Sequence, residues 1–249
     1  MDGILKQHKA GLPLVSCIMP TGNRFPFTIQ AIRYFQKQDY EPRELLILDD
    51  GGGNLSCEVG SDDRIRYIHL ESSLTIGAKR NIACELARGP IIAHWDDDDW
   101  YAPSRLTSQV MPLVSGAADI SGFSDCIFLD LPKWRFWRCS SRLFTRMFVG
   151  DIHSGTLVFR ASLFGQGIRY PEVSQAEDAA FLYQCNQAGA RLERLPCDGL
   201  FIYVRHKKCA WQFKCGEFIN SQEWIAAPQP YIPLEDLDFL KSQSVCQQF

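Results

Sequence analysis

The amino-acid sequence predicts an α/β fold in which a mostly parallel central sheet is flanked by helices and carries a smaller mixed or antiparallel extension. Three observations point there. Through the first half, short β-type runs alternate with helical patterns, the order of βαβ units. Those runs are apolar throughout, as expected of strands covered on both faces. Past residue 115 the alternation breaks down, and the stretch 125–148 is dense in aromatic and basic residues.

The first strand is predicted at 15–19, followed by a helix over 26–38 and a second strand at 45–48. A third strand, 65–70, precedes a helix whose apolar face carries Ile76, Ala83, Leu86 and Ala87 and which Gly89 and Pro90 stop. The next strand is 91–94. In the second half come a helix over 103–114, a strand near 118–120, another at 156–159, and a helix over 177–188 with Phe181, Leu182, Cys185 and Ala188 on one side. After Arg205 the periodicity fades, and 212–249 reads as a tail of a single catalytic domain whose halves are 13–115 and 116–211.

Composition narrows the function. The 249 residues are 46% hydrophobic, enough for a sizeable core, and a net charge of −3 from 26 basic and 29 acidic residues offers no polycationic face for nucleic acid. No signal-peptide-like run opens the chain and no stretch of about 18 apolar residues occurs, so the expected setting is cytoplasmic or peripheral to a membrane, with no transmembrane segment. Ten cysteines are scattered without a CxxC pair, which fits reduced core thiols better than a disulfide framework or structural zinc.

Parallel sheets bind ligands beyond the carboxyl ends of their strands, and three informative segments fall there: 20–24, 49–53 and 96–99. Four consecutive carboxylates, Asp96, Asp97, Asp98 and Asp99, would repel one another in a partly desolvated crevice, so something positive should sit among them. Magnesium or manganese, which takes one or two carboxylates plus phosphate oxygens, answers that need. An extended backbone would turn Asp96 and Asp98 the same way. Asp49, Asp50 and the glycines 51–53 place carboxylates and a permissive backbone beside the same crevice, suited to a base or ribose contact. Lys79 and Arg80 could reach a diphosphate or ribose, although a solvated helix face explains them equally. Glu177 and Asp178 open a helix, where its dipole favours acids, and one of them could serve as general base. His206 ends a strand-like run and could ligate metal. Trp134, Phe136, Trp137, His153 and Trp211 could line an acceptor groove.

In this order the motifs resemble glycosyltransferase family 2, inverting enzymes with the nucleotide-diphospho-sugar transferase fold called GT-A. Residues 15–24 resemble the family's opening strand and loop, 48–51 its second strand end, 77–81 its donor-side helix, and 94–99 its D-x-D region. Glu177 and Asp178 fall where the family carries its base, and 203–206 resemble a late segment with a metal or phosphate contact. The resemblance covers residues 13–211. It implies that Pro20, Thr21 and Asp50 contact the nucleoside, with Arg24, Asp49, Lys79 and Asp97 among the donor-binding residues. It also implies Arg80 on the donor, Asp96 on ribose or diphosphate, Asp98 and His206 on Mn2+ or Mg2+, and Asp178 as base. The implied donor is a nucleotide sugar, UDP-linked, and the acceptor a hydroxyl of a glycan, lipid-linked glycan, protein or small molecule. Two departures stand out: Gly22 replaces an aromatic residue common in the opening loop, and 205–209 lack an asparagine found in many relatives before a tryptophan. A nucleotidyl- or phosphotransferase of similar fold, which should show a glycine-rich loop with lysine near the first strand, and a non-catalytic nucleotide-sugar-binding module are the rival readings.

Overall fold

The computed structural model describes residues 11–52, 55 and 59–246; residues 1–10, on which the expectation about a signal peptide falls, and Gly53 lie outside them. Three parallel partners form the centre of a seven-stranded sheet. β1 (Val15–Thr21) lies between β2 (Arg43–Asp49) and β4 (Ile91–His94), and β3 (Ile65–His69) extends the sheet beyond β2. Every residue of β1, β2 and β4 is buried, which is why their sequences read as continuous apolar runs. The register pairs Thr21 with Asp49 and Ile18 with His94, so the three segments that follow these strands reach the same sheet edge.

Helices cover both faces. α1 (Phe25–Gln36), α2 (Ile76–Leu86) and α3 (Arg105–Val114) belong to the first half. α2 is capped by Thr75, whose hydroxyl accepts from the Ala78 amide at 3.2 Å. It stops at Leu86, since Ala87 is already extended; Leu86 is exposed against expectation, while Ala83 and Cys84 are buried and Ala87 packs half-buried against the core.

The second half completes this sheet and builds another. β6 (Ile120–Ser124) begins where the strand near 118–120 was expected to end, and β9 (Val158–Arg160) slots between β4 and β6. β9 runs antiparallel to both, and β10 (Leu192–Pro196) pairs parallel with β6 at the edge. The extension is a five-stranded sheet in the order β12-β8-β7-β11-β5, comprising β5 (Trp100–Tyr101), β7 (Ile127–Asp130), β8 (Arg135–Cys139), β11 (Phe201–Arg205) and β12 (Trp224–Ala227). Short helices α4 (Ser141–Met147) and α5 (Ala161–Gly165) precede α6 (Glu177–Gln187), whose buried side is Phe181, Leu182 and Cys185; Ala188 caps it and is exposed.

The segment read as a tail is not one. β12 pairs with β8, and α7 (Leu234–Cys246) packs back on the first half, where buried Asp236 accepts from Trp100 Nε1 at 3.1 Å, Lys37 Nζ at 3.0 Å and Gln30 Nε2 at 3.3 Å. Leu240 is buried in the core with Leu237 and Phe239 packed against it, and Asp236 adds a buried polar anchor to that packing. Asp236→Ala leaves the Trp100 and Gln30 donors unpaired and is expected to lower stability by about 2–3 kcal/mol, measured as a lower urea midpoint at unchanged slope. No helix among the described residues is long and apolar enough to cross a membrane. The nine described cysteines are all free, and all but Cys246 are buried.

Candidate active site

The four aspartates leave β4 and divide between two environments. Asp96 and Asp98 line a cavity of about 260 Å³, while Asp97 and Asp99 turn into the protein. Asp97 does not reach the cavity: it accepts from Thr21 and holds the Arg24 guanidinium by two contacts, 2.7 Å from Nη2 and 3.1 Å from Nε. Asp99 accepts the Val204 amide at 2.8 Å and so ties the aspartate turn to β11.

The positive charge demanded by this cluster comes first from the chain itself. Arg24 Nη1 lies 2.6 Å from Asp98 Oδ2, and Arg80 Nη2 lies 2.8 Å from Asp96 Oδ1. Both cations were named from sequence as donor contacts; their role in neutralising the aspartates was not foreseen, because their partners lie far along the chain. Burial, which would raise the Asp98 carboxyl, is outweighed by Arg24 and by a hydrogen bond to His206, so Asp98 sits below the usual carboxylate range. Burial raises Asp97, partly opposed by Arg24.

Arg80 also joins the aspartate turn to the start of α6. Its Nε donates to Glu177 Oε1 at 3.2 Å, and its Nη1, fully buried, makes no hydrogen bond. α2 comes close enough for this because Gly77 lies against the Pro171 carbonyl, where any side chain would collide with backbone, and donates its amide to Val173 O at 3.0 Å. Ala176, at φ 57, turns the chain in a left-handed conformation into α6. Asp178 follows, lining the same cavity as Asp96 and Asp98. Burial, then the neighbouring Glu177, push its carboxyl up to about 7 against the pull of Arg80.

A second pocket of about 340 Å³ adjoins the first, sharing Pro20, Arg24, Ile76, Ser174 and Ala210 with it. Thr21, Asp50 and Lys79 line it too, and Lys79 Nζ bridges Thr21 O at 2.8 Å and Asp50 Oδ1 at 2.7 Å. Gly22 is required here, since a side chain would strike the Asp50 carboxylate. No aromatic residue among those described lines this pocket, so a flat ring in it would rest on Pro20, Leu74 and Ile76. Asp49 is buried beside it, accepting from the Gly51 amide at 2.8 Å and from Tyr67 at 3.0 Å; it shapes the turn after β2 and does not line the pocket.

A cation could be held at Asp98 and His206. His206 Nε2 is 2.9 Å from Asp98 Oδ2, about the separation of two ligand atoms sharing one ion at roughly 2.1 Å. The Lys208 amide donates to Nδ1, so Nε2 carries the proton toward Asp98, and an ion would take that proton's place. The His206 ring is fixed by stacking on Phe27 at 4.7 Å. Cys209, which the sequence reading did not single out although an H-x-x-C spacing could have drawn notice, completes a group whose ligand atoms lie within 4.8 Å of one another. Burial and Asp98 push its thiol up to about 12, so it is a poor donor for a hard ion. Donor set and spacing thus fit Mn2+ or Mg2+, with Arg24 sharing Asp98.

The five aromatic candidates for an acceptor groove separate. His153 and Trp211 line the catalytic cavity, but Trp134, Phe136 and Trp137 surround a different depression beside β12, because β8 carries them to the far side of the extension. Phe148, Tyr203 and Arg205, not weighed individually from sequence, also line the cavity.

The sequence profile described as Glycosyl transferase family 2 matches residues 16–168. WcaA of Escherichia coli, named provisionally as a colanic acid biosynthesis glycosyl transferase, is 39% identical over 100 residues, covering 38% of this chain and 36% of the relative. The chain spans less than half the length of the curated relatives it matches. Among solved structures, the mannosyltransferase PcManGT of Pyrobaculum calidifontis in complex with GDP-Man and Mn2+ superimposes with a TM-score of 0.63 at 18% identity, covering 80% of this chain and 59% of that one. TarS of S. aureus in complex with UDP-GlcNAc gives 0.62 at 18% identity, covering 79% and 60%.

Proposed function

The chain belongs to glycosyl transferase family 2 and has the GT-A fold, and from that premise we propose that it moves a sugar from a UDP-linked donor to a hydroxyl acceptor in a single inverting displacement assisted by Mn2+ or Mg2+. The observation that carries this reading is the shared cavity: Asp178, with a carboxyl raised to about 7, lines the same space as Asp96 and Asp98, and that space continues into the pocket of Asp50 and Lys79.

The nucleoside occupies the pocket of Pro20, Thr21, Asp50 and Lys79, and the diphosphate runs past Arg24 toward Asp96. When bound by Asp98 and His206, a divalent ion supplies charge neutralisation for the leaving diphosphate. Arg24, fixed by Asp97, adds a permanent cation on that path, and Arg80 holds Asp96 and Glu177 in place. Asp178 takes the proton from the acceptor hydroxyl as the new C1–O bond forms and the bond to the diphosphate breaks, with the electron pair leaving on the nucleoside diphosphate. A carboxyl near 7 is matched to that task, being ionised in useful amount yet basic enough to accept the proton.

Incubation with UDP-sugars and Mn2+, with and without a set of hydroxyl acceptors, should release UDP, and EDTA should suppress the release. Release of sugar 1-phosphate instead would make the protein a nucleotidyltransferase, and metal-dependent donor binding without any turnover would make it a binding module.

A further inference from the structure

His153 is 4% exposed, lines the cavity, and forms no hydrogen bond through either ring nitrogen. Its ring is nonetheless held firmly. Phe148, Phe201 and Tyr203 enclose it with ring centroids at 4.7, 5.1 and 4.2 Å. Its backbone is pinned as well, with the amide donating to Phe123 O at 2.8 Å and the carbonyl accepting from Thr156 Oγ1 at 2.7 Å. Burial, then the nearby Arg205, lower its pKa to about 3, so at neutral pH the ring has one donor and one acceptor. Leaving both unused forfeits their hydration without return, and such groups in a folded protein call for an explanation.

A glycine faces both the ring and Asp96. A Cβ on Gly155 would lie 2.8 Å from Asp96 Oδ2 and 3.2 Å from His153 Nδ1, so the carboxylate and the imidazole converge on one small gap that any side chain at 155 would fill. A hydroxyl matches this pair, since it can donate to one partner and accept from the other. A phosphate oxygen can only accept and would face the Asp96 charge. Asp96, held by Arg80, stands on the donor side of the cavity.

We propose that His153 reads the sugar being transferred: its imidazole hydrogen-bonds a hydroxyl of the donor's pyranose, with the Asp96 carboxylate on the other side of that hydroxyl. This rests on the nucleotide-sugar reading of the cavity and assigns His153 to the donor sugar instead of the acceptor groove. It is a contact that bare nucleoside diphosphate cannot make.

The test compares calorimetric affinities for UDP, UDP-glucose, UDP-GlcNAc, GDP and GDP-mannose, all with Mn2+, in the wild type, His153→Phe, His153→Gln and Gly155→Ala. His153→Phe and Gly155→Ala should leave nucleoside diphosphate affinity within about twofold while weakening the preferred nucleotide sugar about three- to tenfold, the worth of one hydrogen bond; His153→Gln should restore part of the loss. Should His153→Phe not fold, imidazole 15N shifts of the wild-type protein decide, moving on addition of the nucleotide sugar beyond the change caused by the nucleotide alone. Equal effects on nucleotide and nucleotide sugar, or none on either, overturn the proposal and leave His153 as the host of a structural water. Failure of the wild type to bind any of the five compounds would overturn the donor reading as well.

Discussion

Asp178→Asn is expected to reduce sugar transfer roughly a hundred- to ten-thousandfold, the range of a lost general base, while donor affinity stays within about twofold. The substitution keeps the shape of the side chain and its acceptor toward the Ala179 amide, 2.7 Å away, but removes the only step assigned to the carboxylate. In the wild type, kcat/KM should rise with pH through about 7 and level off above it, because only ionised Asp178 accepts a proton. The same raised carboxyl has a cost. Folded Asp178 near 7 binds a proton that the unfolded chain, at about 3.9, has already lost, so its contribution to stability is full below about 4 and is lost as pH climbs toward 7. The asparagine variant escapes that loss and should melt a few degrees higher than the wild type at pH 8, with little difference at pH 4. A variant with full transfer activity, or an inactive one with no pH-dependent gain in Tm, would remove Asp178 from the role of base.

Arg80→Met should destabilise the fold by about 3–5 kcal/mol, as expected when one member of a buried charge group is removed. Asp96 and Glu177 would face each other through an apolar side chain, and both are anchored by the same guanidinium at 2.8 and 3.2 Å. Lysine cannot stand in, since a single ammonium lacks the fork that spans both carboxylates. Arg80→Lys should therefore fold but hold Asp178 less firmly ionised, moving the pH limb of kcat/KM above 7, because Arg80 is the main influence opposing the raised carboxyl. An unshifted limb with unchanged stability would mean that Arg80 is an ordinary helix residue.

Much of the first half was legible because one physical signal governs it. Strands buried on both faces must be apolar throughout, and the segments 20–24, 49–53 and 96–99, where that apolar run stops, mark where the chain leaves the sheet. Asp96 and Asp98 do share the cavity, but Asp97 and Asp98 sit in a turn and not on the extended backbone expected from the sequence. The partners of those carboxylates were not legible, because Arg24 and Arg80 meet them only after folding, across 73 and 16 positions of sequence. α7 escaped notice for a related reason: beside the packing of Leu240 and Phe239 on the core, it is anchored by Asp236 on Trp100, a polar contact that leaves no periodic trace. Trp137 and Trp211 look alike as letters, yet the path of β8 takes one away from the cavity while the other lines it.

The three-residue strand β9 has a consequence for how the protein comes into being. It is inserted between β4 and β6, so the ladder of β4 stays open on one side until residues 158–160 have been synthesised. A nascent polypeptide that has emerged as far as the aspartates thus displays an apolar, unpaired edge, a template for pairing with neighbouring chains. The sheet of the donor-side half is completed only when that later segment arrives, and until then the edge is open to capture by another chain.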